Sequence, residues 1–175
     1  MRIALMALAG LALTGVAASA AAPSLVSSLA GRYSTHFRNG LVSGERYESD
    51  DVVEIVPVDA GHAYVRFSLQ FYNGHSCALS GIARAERDEL VYREPVSKQV
   101  GDQQCTISLR RRGGKLTWTD GNGSCRAYCG ARGSLTDGSL PWASRRNITY
   151  LKRLRGSSEF RDAMREWRGG AEGAE

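Results

Sequence analysis

Past its first eighteen residues the sequence lacks any apolar run long enough to cross a bilayer, which argues against a later membrane-spanning helix. It also lacks long helical patterns alternating with strands, which excludes a βαβ architecture. Paired Cys-x-x-Cys knuckles are missing, and with them the usual framework of structural zinc. No Gly-x-Ser-x-Gly elbow and no His-Glu-x-x-His pair occurs. Histidine is scarce: His36, His62 and His75 each stand alone in their segments. His62 beside a turn and His75 just before Cys77 read as structural or exposed residues. Asp120-Gly121-Asn122-Gly123 resembles the opening of a calcium loop but lacks the later oxygen ligands and the closing glutamate. Asp50 and Asp51 are dense in charge, yet neighbours on a strand point to opposite faces and do not converge.

What the chain does have begins with a leader. Arg2 precedes an almost unbroken apolar stretch over residues 3–18, and Ala18-Ser19-Ala20 fits the small-x-small cleavage rule. A signal peptide over 1–20 is expected, with export to the periplasm or the medium. No cysteine closes the apolar run, so no lipid anchor is expected. Removal of Arg2 lowers the formal net charge from +5 to +4. That modest excess favours solubility and weak attraction to anionic surfaces, and does not by itself imply nucleic-acid binding.

Four cysteines follow the leader: Cys77, Cys105, Cys125 and Cys129. An even number in an exported chain points to two disulfides, and four cysteines allow three pairings. Cys125 and Cys129 lie close together in a Gly-flanked segment, so both point back to the body and staple different strands. The pairing Cys105–Cys125 with Cys77–Cys129 is preferred.

Between the leader and the tail, strand signals dominate. Asp51-Val52-Val53-Glu54-Ile55-Val56 is β-branched and bounded by Pro57. Residues 63–71 alternate, with Ala63, Val65, Phe67, Leu69 and Phe71 on one face. Cys105, Ile107 and Leu109 repeat the pattern. Asn39-Gly40, Asn73-Gly74, Gly113-Gly114 and the 120–123 segment read as turns. The expected fold is all-β: a small antiparallel meander or barrel with a stapled loop and one C-terminal helix. Its expected divisions are a lead-in segment over 21–30, holding a short helix, a β domain over 31–155, a helix over 156–169 and a disordered tail over 170–175. Residues 146–154 are expected to form the last strand. The helix is expected to start at Ser157 or Ser158, to carry Phe160, Met164 and Trp167 as one apolar stripe, and to stop at Gly169-Gly170.

Arginine is the conspicuous excess. Arg110-Arg111-Arg112 marks a hairpin end, and Arg145-Arg146 and Lys152-Arg153-Arg155 crowd the C-terminal part. Guanidinium forks suit carboxylate or phosphate partners. The candidate binding surface comprises His75, Arg126, Tyr128, Arg132, Arg145 and Arg146. No catalytic, cofactor-binding or metal-ligating residue is assigned, and no cofactor is expected. An enzyme would need a pocket around His36, Asp51 or His75.

The blocks Asn73-Gly74-His75-x-Cys77-x-Leu79-x-Gly81, Leu90-Val91-Tyr92, Cys105-x-Ile107 and 120–133 (Asp120-x-x-Gly123-x-Cys125-Arg126-x-Tyr128-Cys129-Gly130-x-Arg132-Gly133) are the most distinctive. Together, over residues 31–135, they resemble small exported bacterial β domains found among proteins labelled as LprI-type lysozyme inhibitors. The resemblance implies a binding protein that inhibits a peptidoglycan hydrolase. The alternative reading is a structural or envelope-associated module that binds anionic lipid or cell wall, and the third is a cell-wall hydrolase. A protein partner, no nucleic acid, no membrane span and a monomeric state are expected.

Overall fold

The structure, a computed structural model, describes residues 24–100 and 102–172, the last two by backbone alone. The leader expected over 1–20 therefore lies outside the described residues.

Eight strands follow one another around a single antiparallel sheet. They are β1 (Gly31–Gly40), β2 (Arg46–Pro57), β3 (His62–Gln70), β4 (Ser76–Glu86), β5 (Glu89–Arg93), β6 (Thr106–Arg112), β7 (Lys115–Thr119) and β8 (Gly138–Pro141). Each pairs with its neighbour in sequence, as short turns dictate. The sheet curls until the segment after β8 meets β1. There the Arg32 N–H donates to the Arg146 carbonyl at 2.9 Å, and the Arg146 N–H returns a bond to Arg32 at 2.8 Å. The result is the expected all-β barrel, nearly closed.

Alternation decides what fills it. Ala63, Val65, Phe67 and Leu69 of β3 point inward, as do Ile107 and Leu109 of β6 and Leu116 and Trp118 of β7. Tyr33, Val53 and Ile55 complete the other wall. The Phe67 and Trp118 rings meet edge-on at 5.4 Å between centroids. This interior is a packed core of side chains.

A short helix, α1 (Leu25–Leu29), precedes β1, capped by the Ser24 hydroxyl, which accepts from the Ser27 N–H at 3.2 Å. Val26 and Leu29 are buried in the core, and the Tyr33 hydroxyl donates to the Leu29 carbonyl at 2.8 Å.

The chain after β8 departs from expectation. No strand forms over 146–154: Arg146 makes its single bridge, and Leu151–Arg155 is a helix, α2. The sheet needs only that bridge to approach closure. Leu151 and Leu154, three apart, instead share a helical face and pack on the outside of the barrel with Val56 and Tyr64. Helix α3 (Ser158–Glu172) follows, with the Ser157 hydroxyl accepting from the Phe160 N–H at 3.2 Å. Its inward stripe is buried Ala163 with half-buried Phe160 and Trp167, whose rings meet Tyr64 and His62. Met164, expected with Phe160 and Trp167, is half-buried as they are. Gly169 and Gly170 do not stop the helix; glycine weakens a helix interior without forbidding it. Gly170–Glu172, expected in the tail, are thus helical. No helix among the described residues is long and apolar enough to cross a membrane.

Strand direction defines two ends. One holds the β1–β2 and β3–β4 turns, the β5–β6 linker and the long β7–β8 loop. The other holds α1, the β6–β7 turn and the chain leaving β8.

Candidate functional site

The first of these ends is fastened around the β7–β8 loop. Asp120, almost fully buried at the end of β7, sets its first turn. One carboxylate oxygen accepts from the Cys125 N–H at 3.0 Å; the other accepts from the Thr136 hydroxyl at 2.7 Å and the Gly123 N–H at 3.3 Å. The oxygens that suggested a calcium loop are thus committed to the loop's own donors. Among the described residues, no group of three or more His, Cys, Asp and Glu side chains is placed to hold a metal ion.

Two disulfides then converge on one short stretch. Cys105, just ahead of β6, joins Cys125, and Cys77, at the start of β4, joins Cys129. Both ends of the 125–129 loop are therefore covalently tied to different strands. The Gly130 N–H adds a bond to the Ser76 carbonyl at 2.8 Å. Gly133 lies so close to the staple that a Cβ there would stand 2.7 Å from the Cys77 sulfur.

Between the two cysteines, residues Arg126–Tyr128 form one 3-10 turn. Tyr128 turns inward, and its hydroxyl donates to Glu94 Oε1 at 2.6 Å. Glu94 is 1% exposed and also accepts from the N–H groups of Cys105 at 2.9 Å and Val100 at 3.2 Å. One buried carboxylate thereby joins the end of β5, the following linker, the first cysteine of β6 and the loop. Burial, reinforced by the Glu94 carboxylate, pushes the Tyr128 hydroxyl pKa far up, so it stays a donor. Glu94 was missed in the sequence because Arg93-Glu94-Pro95 reads as a charged strand end; only its many donors in three dimensions single it out.

Of the six residues expected on the binding surface, four meet here. The His75 ring packs on Gly130, where a Cβ would stand 3.2 Å from its Nδ1. Arg126 and Arg132 are exposed, and Arg126 braces the loop through a 2.9 Å bond to the Ala131 carbonyl. Tyr128 is half-buried and its hydroxyl is spent on Glu94, so it holds the loop from beneath. The outward face is Arg126, Ala127, Ala131 and Arg132.

Arg145 and Arg146 lie at the opposite end, beside the start of β1, so the six residues do not form one surface. Arg145 donates from Nε to the Ala30 carbonyl at 2.7 Å, and Arg146 donates to the carbonyls of Ala143 and Arg145 at 2.8 Å each. Arg111 and Arg145 both lie over the Trp142 ring, at 4.3 and 5.1 Å from its centroid.

The residues around which an enzyme pocket was sought are dispersed and occupied. His36 sits exposed on the β1–β2 ribbon between Glu48 at 3.2 Å and Asp50 at 3.1 Å. Asp51 faces the other way, as the alternation requires, and accepts from the Gln70 N–H at 2.7 Å. Burial raises its carboxyl above the usual range. A third buried carboxylate, Glu54, accepts from Arg66 Nε at 2.6 Å and from the Tyr150 hydroxyl. It forms part of the support for α2. A groove of about 830 Å³ runs between α3 and β5, with Trp167, Ile82, Val91 and Pro95 among its walls.

Comparison of the chain with protein-family models, with curated proteins and with solved structures finds no match in any of the three.

Proposed function

We propose that this chain is an exported binding protein whose stapled end captures a protein partner, and that a peptidoglycan hydrolase is the partner it blocks. The observation that carries the reading is the convergence of both disulfides on the 125–129 loop. A loop ordered before binding loses little conformational freedom on association. With Glu94 and Asp120 holding it from within, it presents Arg126, Ala127 and Arg132 as a firm edge suited to entering a cleft.

The charge distribution supports a cationic partner despite the basic net charge. The stapled end mixes Arg38, Arg46, Arg126 and Arg132 with Glu45, Glu48, Asp50, Asp102 and Asp137. With four arginines among five carboxylates, it is close to balanced. A basic hydrolase approaching the stapled end meets little local repulsion.

The test is inhibition of a panel of peptidoglycan hydrolases in a cell-wall turbidity assay. Stoichiometric inhibition by the oxidised protein, lost in Ala127→Glu/Arg132→Glu, is expected. A folded protein that inhibits no hydrolase overturns the hydrolase assignment, and inhibition untouched by that variant overturns the assignment to the stapled loop.

A further inference from the structure

The far end of the barrel carries a second kind of surface. Arg111, Arg112 and Lys115 flank the β6–β7 turn, whose Gly113 and Gly114 both have positive φ, 53° and 74°. That conformation suits a tight two-residue hairpin and drives the flanking cations out from the barrel rim. Arg145 and Arg146 follow β8 directly beside them, since Lys115 pairs with Pro141. No described carboxylate lies within ion-pair distance of any of these five. Further round the same rim, α2 adds exposed Lys152, Arg153 and Arg155, and Arg155 reaches the Pro57 carbonyl at the end of β2.

The acids of this end stand on the other arc of the rim. Asp59 is engaged by His62, Glu86 by Arg93 and Glu89 by Arg110, and Asp88 is exposed in the β4–β5 turn beside Arg87. Charge is therefore segregated around this rim: the arc from β6 through β8 and β1 to β2 carries cations, and the arc from β3 to β5 carries the acids.

The cations of the free arc are also held in place. Trp142 lies beneath Arg111 and Arg145 and packs on Tyr33 at 5.5 Å between ring centroids. Arg145 and Arg146 are fixed by backbone carbonyls, which accept their N–H groups without cancelling their charge. These groups occupy a projecting turn and a rim, so a plane laid across this end of the barrel meets them together. A flat, multivalent anionic partner fits that arrangement better than a small ligand in a cavity.

We propose that this cationic arc docks the protein onto a membrane surface through the phosphates of anionic lipid head groups. Guanidinium forks match phosphate oxygens, and cations that share one plane act additively on a charged leaflet. The stapled loop, at the other end, then faces away from the membrane and stays open to its partner. This assignment stands apart from the hydrolase reading and survives its failure.

Vesicle co-sedimentation of the full chain tests it, with phosphatidylglycerol-containing vesicles against pure phosphatidylcholine; the apolar leader is common to every variant. Binding to the anionic vesicles is expected to exceed binding to neutral ones and to weaken with salt. At about fivefold per charge at the surface, Arg111→Glu/Arg112→Glu should reduce it at least tenfold. Arg126→Glu/Arg132→Glu changes net charge equally at the far end and should leave most of it. Equal loss in the two variants would reduce the effect to net charge and overturn the assignment. So would equal binding to both vesicle types, or preference for a soluble polyanion such as heparin or nucleic acid over the anionic vesicles. Cooperative melting of both variants well above the assay temperature guards against misfolding as a cause.

Discussion

The two ends of this barrel are held by different chemistry. At the stapled end, Glu94 and Asp120 gather backbone N–H groups from separate segments, and two disulfides lock the result. At the cationic end, arginines do the gathering: Arg145 donates to Ala30, Arg146 to Ala143, and the Trp142 ring lies under two guanidiniums. Buried anions collect loose donors in one place, and cations collect loose acceptors in the other. The two ends differ in where charge is left over. Glu94 and Asp120 are buried and spend their oxygens inside the stapled end, whereas the guanidiniums bound to carbonyls lie at the rim and continue to act on what lies outside.

The largest contrast should appear on removing a staple. The Cys77–Cys129 bridge spans 52 residues and Cys105–Cys125 spans 20, so opening the first should cost about 4 kcal/mol and the second about 3 kcal/mol. Urea unfolding of the paired alanine variants measures both; equal stability of the oxidised and reduced proteins would contradict the account. Next, Glu94→Gln should cost about 2 kcal/mol, since the amide retains one acceptor and turns an N–H pair toward existing donors. A loss near zero would mean that the carboxylate does not organise the loop. At the other end, Arg145→Met should cost about 1 kcal/mol, with increased exchange of α1 amides, because the bond to Ala30 is lost. Arg111→Glu/Arg112→Glu should cost no more than about 1 kcal/mol, the loss of the Arg111 contact with the Trp142 ring, while changing vesicle binding.

A pH experiment compares the two halves directly. Burial pushes Tyr33, under the cationic end, up to about 12 from 10.0, with Arg145 and Arg111 opposing the shift. Burial also pushes Tyr92, beside Glu94 and Tyr128, up to about 12, here opposed by the Tyr128 hydroxyl and reinforced by Glu94. Both folded values exceed the unfolded one. The unfolded chain therefore loses these protons first, and the stability they contribute below pH 10 disappears as pH rises toward 12. Tyr33→Phe and Tyr92→Phe should each flatten that decline. If neither variant alters the alkaline limb of stability, the two rings are less sequestered than described.

Much of the barrel was legible because alternation is a local signal. Residues 63–71 announced β3 to within a residue, and Gly113-Gly114 marked the turn that Arg112 and Lys115 close. The region after β8 was not legible, because Ile148 and Tyr150 alternate like a strand while their burial comes from packing outside the barrel. Which arginines share a surface was not legible, because arginines count alike in a sequence; only the register placed Arg145 and Arg146 opposite Arg126 and Arg132. Glu94 and Glu54 gave no local signal, since their partners are distant in the chain: Tyr128 for one, Arg66 and Tyr150 for the other.

The central claim, that the stapled end is the partner-binding end, is tested most directly by titrating an inhibited hydrolase with the two charge-reversed proteins side by side. Arg111→Glu/Arg112→Glu should inhibit as the unaltered protein does, and Ala127→Glu/Arg132→Glu should fail at equal concentration. Loss of inhibition in the first variant with retention in the second would contradict the claim.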